Sequence, residues 1–205
     1  MSADAATIAQ LAPRIRAGEV SSEALTRACL ERIEAGNAAL NAFITVTADL
    51  AIAQAREADR EIAAGTYRGL LHGVPLSLKD LIDVEGLPTT AASHVRDGHV
   101  ARADAVAVQR LRAAGAVIVG KTNLHEFAFG TTNEESAYGS ARHPLDPSRS
   151  PGGSSGGSAV TVATGMALAS IGTDTGGSIR IPSAACGLVG LKPSLGEVET
   201  TGVVP

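Results

Sequence analysis

At residues 150–158 the chain reads Ser150-Pro-Gly-Gly-Ser-Ser-Gly-Gly-Ser158, and at residues 172–180 it reads Gly172-Thr-Asp-Thr-Gly-Gly-Ser-Ile-Arg180. Glycine beside a serine permits backbone dihedrals that a Cβ would forbid, and it lets a substrate approach the main-chain N–H groups. A flexible glycine–serine linker is the alternative interpretation of this composition. The apolar segment Ala159-Val-Thr-Val-Ala-Thr-Gly165 between the two turns argues against a linker. The two turns therefore predict a structured site that presents a serine nucleophile.

Helices alternate with short apolar strands on both sides of these turns. Gly73-Val-Pro-Leu-Ser-Leu-Lys-Asp80 has the composition of a strand, and Ala116-Val-Ile-Val119 is typical of a short strand buried in a parallel sheet. The full pattern predicts strands at 73–80, 116–119 and 167–172, and helices at 105–114 (capped by Asp104), from Thr122 or Asn123 toward Phe129, at 155–163 and from Ile179 onward. Such alternation is typical of a layered α/β fold.

Residues 1–65 are predicted to be mostly helical and contain no cluster of catalytic residue types. The periodicity predicts helices at 4–17, from Ser21 or Ser22 to Gly36, and from Thr47 to Gly65, with an extended segment at 41–46. We interpret 1–65 as a helical region of the same domain whose core is 66–205. Because the chain stops in apolar sequence at Gly202-Val-Val-Pro205, we expect this core to be incomplete, with a C-terminal part of the fold missing.

Composition excludes several function classes. The net charge of −4 gives no general basic surface for nucleic acid, and no apolar run is long enough for a membrane span. The N-terminus has no basic segment or apolar core of a signal peptide. Cys29 and Cys186 are far apart in alanine-rich settings and are expected to be buried free thiols. The expectation is a cytoplasmic protein.

Two segments match the residue patterns of familiar motifs but lack the surrounding features that those motifs need. Gly115-Ala-Val-Ile-Val-Gly-Lys-Thr122 fits the pattern of a nucleotide-binding phosphate loop, but its middle residues are strand formers whose backbone cannot wrap a phosphate. Gly152-Gly-Ser-Ser-Gly156 fits the nucleophile elbow of an α/β-hydrolase, which needs an acid and then a histidine downstream. All the histidines precede Ser154; they are His72, His94, His99, His125 and His143. An α/β-hydrolase is therefore a possible interpretation only if residues beyond 205 supply the histidine base.

A serine activated by a lysine is the third interpretation. A lysine has an ordinary pKa of about 10.4, so it is a poor base at neutral pH unless burial disfavours its ammonium form. Lys79 ends an apolar strand, where such burial is expected. The alternative is an ordinary strand-end lysine paired with Asp80 or Asp83, and the residues alone favour this alternative.

Four segments, in order, closely resemble the blocks of the amidase signature family. They are the strand 73–80 quoted above, Gly120-Lys-Thr-Asn-Leu-His-Glu-Phe-Ala-Phe-Gly130, the turn 150–158, and the turn 172–180 continued by Ile181-Pro182. The resemblance extends from the N-terminal helices to the last residue. It implies an α/β fold with a mixed sheet flanked by helices, in proteins considerably longer than this chain.

The resemblance also implies a catalytic triad and a mechanism. Ser178 matches the nucleophile, Ser154 the bridging serine that follows a cis peptide bond, and Lys79 the base. The main-chain N–H groups of Thr175, Gly176, Gly177 and Ser178 are expected to form the oxyanion hole, and Ser155 to support the site by hydrogen bonding. We expect Asp174 and Arg180 to form a structural pair rather than to act in catalysis. An acid–base pair of His125 and Glu126 is one interpretation of those two residues, but we expect them to lie on a helix surface.

The implied activity is hydrolysis of a carboxamide C–N bond through an acyl-enzyme, with no metal or organic cofactor. The partner would be a small-molecule amide, with no direct contact to nucleic acid or membrane, and the chain could form a homodimer. Two alternatives stay open. One is the glutaminase subunit of a tRNA-dependent amidotransferase, which works with other subunits, although the segment Gly196-Glu-Val-Glu-Thr-Thr-Gly-Val-Val-Pro205 and His125 fit that subunit less well. The other is a truncated, inactive fragment.

Overall fold

A computed structural model describes residues 6–205. Its helices are α1 (Ile8–Arg16), α2 (Ser22–Leu40), α3 (Ala48–Ala63), α4 (Val106–Ala113), α5 (Gly156–Ala163) and α6 (Arg180–Ala185). Its strands are β1 (Phe43–Val46), β2 (Pro75–Lys79), β3 (Val117–Thr122) and β4 (Ala169–Ile171). Within the described range, no helix is both long and apolar enough to cross a membrane.

The strands form one mixed sheet in the order β1-β3-β2-β4. β3 and β4 run parallel to β2, whereas β1 is antiparallel to β3. Every residue of β2 and β3 is buried because helices cover both faces of the sheet. This confirms the predicted α/β class with a mixed sheet flanked by helices.

Side chains alternate along β3 and contribute to one apolar cluster on each face of the sheet. Val117 and Val119 pack with α2, α3 and α5 on one face of the sheet, whereas Ile118 packs with Leu78 and α4 on the other. Helices α2 and α3 therefore share a core with the sheet.

A β-bulge in β3 changes which face the following side chains occupy. Leu76 pairs with Ile118 but Ser77 pairs with Gly120, so β3 carries one extra residue at this point. A Cβ on Gly120 would collide with the Thr45 carbonyl oxygen of β1, which explains a glycine there. After the bulge, Lys121 shares the face of Leu78, and Thr122 shares the face of Lys79.

The N-terminal helices largely follow the prediction. α1 begins after Thr7, whose hydroxyl accepts a hydrogen bond from the Gln10 amide in a capping box; residues 4 and 5 of the predicted helix lie outside the described range. The predicted end of α2 at Gly36 is wrong, because the helix continues to Leu40 and ends at Asn41 with φ of 50°. Gly36 instead makes room for Met166, whose Cε would lie 2.6 Å from a Cβ.

Two further local predictions are corrected. The helix predicted from Thr122 or Asn123 toward Phe129 is absent: β3 runs to Thr122, and only a 3₁₀ turn at Glu126–Ala128 follows. Asp104 does not cap α4, because its carboxylate accepts the Glu85 amide instead. Long-range partners therefore override the local signal at both places.

Candidate active site

Lys79 is the last residue of β2, and its side chain is fully buried on the face covered by α5. On the same face, the Ser77 hydroxyl lies 2.9 Å from that of Thr161 in α5, and Thr122 lies 2.8 Å from Ser158 by their hydroxyls. These polar contacts fix α5 against β2 and β3 at the carboxyl end of the parallel strands. The Lys79 side chain therefore lies between the sheet and α5.

The Lys79 amine contacts two hydroxyls. Nζ donates to Ser154 Oγ at 2.6 Å and to Thr173 Oγ1 at 2.7 Å. Burial lowers the pKa of Lys79 to about 7, and the negative charge of Asp174 opposes part of that shift. A lysine with such a pKa is substantially uncharged at neutral pH and has a lone pair available for a proton.

Ser154 lies in a turn that several hydrogen bonds hold in place. The Gly153–Ser154 peptide bond is cis, as the resemblance implied. The Ser154 carbonyl accepts the His125 amide at 3.1 Å, and the Gly157 amide donates to Asn123 O at 3.1 Å and to Asn133 Oδ1 at 3.0 Å. Ser154 is fully buried, so its hydroxyl is reached through Lys79 rather than from solvent.

The second turn lies against the first. The Ser155 amide donates to the Ser178 carbonyl at 3.1 Å, and the Ser155 hydroxyl donates to the Thr173 carbonyl at 3.2 Å. Ser178 keeps 9% of its surface exposed, so it is more accessible than Ser154. Within residues 6–205 no hydrogen bond joins the Ser154 and Ser178 hydroxyls.

Asp174 organises the turn that carries Ser178. Its carboxylate accepts the amides of Gly177 at 2.8 Å and Ile179 at 3.1 Å, and Arg180 binds both of its oxygens at 2.9 Å. These donors hold the pKa of the Asp174 carboxyl far below its usual range, Arg180 first among them. The expected Asp174–Arg180 structural pair is confirmed.

One of the four amides predicted to form the oxyanion hole already has a hydrogen-bond acceptor. The Gly177 amide already donates to Asp174, so its hydrogen points away from the site. The amides of Thr175, Gly176 and Ser178 donate to no acceptor in the described part of the chain. Thr175 and Gly176 are exposed, which leaves their amides accessible to a ligand.

The residues beside Lys79 form a separate buried ion pair. Lys121 Nζ lies 2.7 Å from Asp80 Oδ1 and also donates to Pro88 O at 3.1 Å, and both charged side chains are fully buried. Asp80 follows Lys79 in the chain and points to the opposite face of the sheet, so it cannot pair with Lys79. Asp83 does not pair with Lys79 either; the lysine's partners are Ser154 and Thr173.

Other residues singled out from the sequence lie outside this site or differ from expectation. His125 is not on a helix surface: it is buried and pairs with Glu135 at 3.3 Å rather than with Glu126. Cys29 and Cys186 are buried free thiols, as predicted. No cluster of metal-ligating side chains occurs among residues 6–205.

Thr173 and Asn133 are polar partners that sequence reasoning missed. Thr173 lies inside the turn 172–180, so its position was visible, but nothing local shows that its hydroxyl meets a lysine from β2. Asn133 has a left-handed φ of 56° and caps α5 from a distant loop. The spacing of residues along the sequence predicts neither contact.

Several known proteins are similar to this chain in sequence and in fold. A family model described as Amidase matches residues 24–205. The glutamyl-tRNA(Gln) amidotransferase A subunit of Anaeromyxobacter sp. (strain K) is 53% identical over 93% of this chain, which covers 39% of that protein. The corresponding protein of Acidothermus cellulolyticus is 52% identical, with coverage of 97% and 39%. The chain thus spans about two fifths of the length of these curated relatives.

Two solved structures of similar proteins have the same fold as this chain. The peptide amidase of Stenotrophomonas maltophilia matches with a TM-score of 0.93 and 45% identity, over 100% of this chain and 43% of that one. The glutamyl-tRNA(Gln) amidotransferase A subunit of Thermotoga maritima matches with a TM-score of 0.77 and 39% identity, over 89% and 38%. Because the family model spans most of the chain and these proteins share its fold, the chain belongs to the amidase family.

Proposed function

We propose that this chain carries the catalytic centre of an amidohydrolase, with Ser178 as nucleophile, Ser154 as proton bridge and Lys79 as base. The observation that supports this most strongly is the 2.6 Å contact between Lys79 Nζ and Ser154 Oγ in a fully buried setting. Burial supplies the lowered pKa that a lysine base needs at neutral pH. Ser178 keeps 9% of its surface exposed whereas Ser154 keeps none, so Ser178 is the serine that a substrate carbonyl could reach.

The proposed reaction has two halves. Ser178 Oγ forms a bond to the amide carbonyl carbon while its proton passes to Ser154, whose own proton passes to Lys79. The tetrahedral intermediate then collapses, the C–N bond breaks, and the proton returns along the same path to the leaving amine. Water next attacks the acyl-enzyme ester, again giving its proton to the relay, and the carboxylic acid leaves as Ser178 recovers its hydrogen.

We propose that the amides of Thr175, Gly176 and Ser178 stabilise the oxyanion. They are the free donors of the turn, and they lie beside the nucleophile. Removing one such donor typically lowers kcat by about 10²–10³-fold. The engaged Gly177 amide has a supporting role, because its hydrogen bond to Asp174 fixes the curvature of the turn. Ser155 likewise supports the site by joining the two turns.

Two serine variants, one of the nucleophile and one of the supporting serine, test this function. The chain is incubated with small primary carboxamides, and the released ammonia is measured for the unsubstituted chain, Ser178→Ala and Ser155→Ala. We expect hydrolysis to disappear in Ser178→Ala and to be weakened in Ser155→Ala. Retained hydrolysis in Ser178→Ala would refute the nucleophile assignment. No hydrolysis by a folded, unsubstituted chain would favour the inactive-fragment alternative.

The second candidate is a glutaminase subunit of a tRNA-dependent amidotransferase. Its support is the name of the curated relatives, which are 52–53% identical to this chain. The same triad would then release ammonia from glutamine for a partner subunit. Glutamine hydrolysis that appears only after amidotransferase partner subunits are added would favour this candidate, whereas hydrolysis of simple carboxamides without them favours the first.

A further inference from the structure

Arg180 is a surface residue with an interior partner. More than half of its side chain is exposed, whereas the Asp174 side chain is fully buried. Arg180 Nε and Nη2 each lie 2.9 Å from a different oxygen of Asp174, and the Arg180 amide adds a contact at 3.3 Å. This bidentate geometry holds the Arg180 guanidinium directly against the buried Asp174 carboxylate.

The carboxylate forms no ion pair with Lys79 in the described residues, but it is close enough for its charge to act on the Lys79 amine. Thr173, the neighbour of Asp174 in the chain, accepts the hydrogen bond from Lys79 Nζ at 2.7 Å. The negative charge of Asp174 favours the ammonium form of Lys79 and so opposes the effect of burial. An uncompensated carboxylate at this position would work against a neutral lysine.

The other charged groups near Lys79 are either paired with each other or directed away from it. Lys121 of β3 and Asp80, which follows β2, form an ion pair on the opposite face of the sheet, with 2.7 Å between Nζ and Oδ1. Helix α5 carries no charged side chain. His125, whose amide binds the Ser154 carbonyl, turns its ring toward Glu135. Asp174 is therefore the charge that acts on Lys79, and Arg180 is its counter-charge.

We propose that Arg180 is a positioning residue that neutralises the buried Asp174 carboxylate and thereby keeps Lys79 available as an uncharged base. This rests on the proposed function, in which Lys79 is the base. Without Arg180, Asp174 keeps its amide donors and stays ionised, so its full charge acts on Lys79. The amine then holds its proton to higher pH, and the relay works only under more alkaline conditions.

The chain offers a direct readout because it has only three lysines, Lys79, Lys121 and Lys192. Labelling lysine with ¹³C at Cε gives three signals that can be titrated by NMR, whether or not the chain hydrolyses an amide. Lys79→Met assigns the Lys79 signal, and the exposed Lys192 serves as internal reference. The Lys79 midpoint is then compared in the unsubstituted chain, Arg180→Gln, Arg180→Lys and Asp174→Asn.

We expect Arg180→Gln to raise the Lys79 midpoint by roughly half a pH unit or more, and Asp174→Asn to lower it. Arg180→Lys keeps the charge and should leave the midpoint close to its original value. Arg102→Gln is a matched control, because Arg102 is exposed and pairs with no acid in the described structure. Its removal should not move the signal.

Two results would overturn the proposal. One is an Arg180→Gln midpoint that does not rise. The other is a rise in both Arg180→Gln and Asp174→Asn, since a turn that merely loosens admits water and raises the midpoint in either variant. Both are distinguishable from failure of the proposed function, which would show as an ordinary lysine midpoint for Lys79 in the unsubstituted chain.

Discussion

Replacing Lys121 by methionine should strongly destabilise the fold. Asp80 accepts hydrogen bonds from Lys121 Nζ at 2.7 Å, the Thr90 amide at 2.9 Å and the Thr90 hydroxyl at 2.5 Å. Methionine keeps much of the side-chain volume but leaves a fully buried carboxylate without its counter-charge. Breaking a buried pair in this way typically costs about 3–5 kcal/mol.

That loss is large enough to measure by urea unfolding. With a slope of about 2 kcal/mol per M for a chain of this size, a cost of about 3–5 kcal/mol lowers the urea midpoint by about 1.5–2.5 M. Circular dichroism follows the transition, and Lys192→Met serves as the matched control because Lys192 is exposed. The double variant Asp80→Asn/Lys121→Met should recover part of the loss, since no buried charge remains.

Two outcomes would refute this reasoning. A Lys121→Met midpoint that coincides with that of Lys192→Met would mean that the ion pair is not buried as described. A double variant that is less stable than Lys121→Met by the full cost of a second substitution would mean that the two residues do not interact.

Four further predictions concern the site and its glycines. Lys79→Met should lower kcat/KM for amide hydrolysis by about 10²–10⁴-fold in a steady-state assay, because the relay loses its base. In the unsubstituted chain the rate should fall as pH drops through about 7, where Lys79 becomes protonated, and a rate that is flat from pH 6 to 9 would contradict the assignment. Thr173→Val removes an acceptor of Lys79, which disfavours the ammonium, so the Lys79 midpoint in the NMR titration should fall, whereas Thr173→Ser should leave it near its original value. Gly157→Ala should reduce the free energy of unfolding by about 1–3 kcal/mol, because its Cβ would collide with the Ala42 carbonyl oxygen. Gly176→Ala is the control for stability, since nothing lies within 4 Å of its Cβ; equal losses in the two variants would contradict the packing described.

Periodicity and turn residues were sufficient for the layered α/β class and for most elements. The alternation of Val117 and Val119 with Ile118 is a local property, so the sequence reveals a strand with two buried faces. The predictions for the end of α2 and for the segment after Thr122 were wrong because the structure there depends on distant partners. Gly36 lies inside α2 at a position where a Cβ would collide with Met166, and Thr122 belongs to β3 because it pairs with Lys79.

The serine-bearing turns and Lys79 could be singled out from the sequence, but the electrostatic arrangement around them could not. The bulge at Gly120 is set by pairing between β2 and β3, and it decides that Lys121 meets Asp80. The contact between Thr173 and Lys79 likewise joins residues 94 positions apart. Such contacts follow from strand register, which the order of residues alone does not specify.

Titration of the Lys79 Cε signal in the unsubstituted chain decides whether Lys79 is an uncharged base at neutral pH. Burial at the end of β2 predicts a midpoint of about 7. A midpoint near the ordinary lysine value of about 10.4 would show that Lys79 is charged at neutral pH and would exclude it as the base.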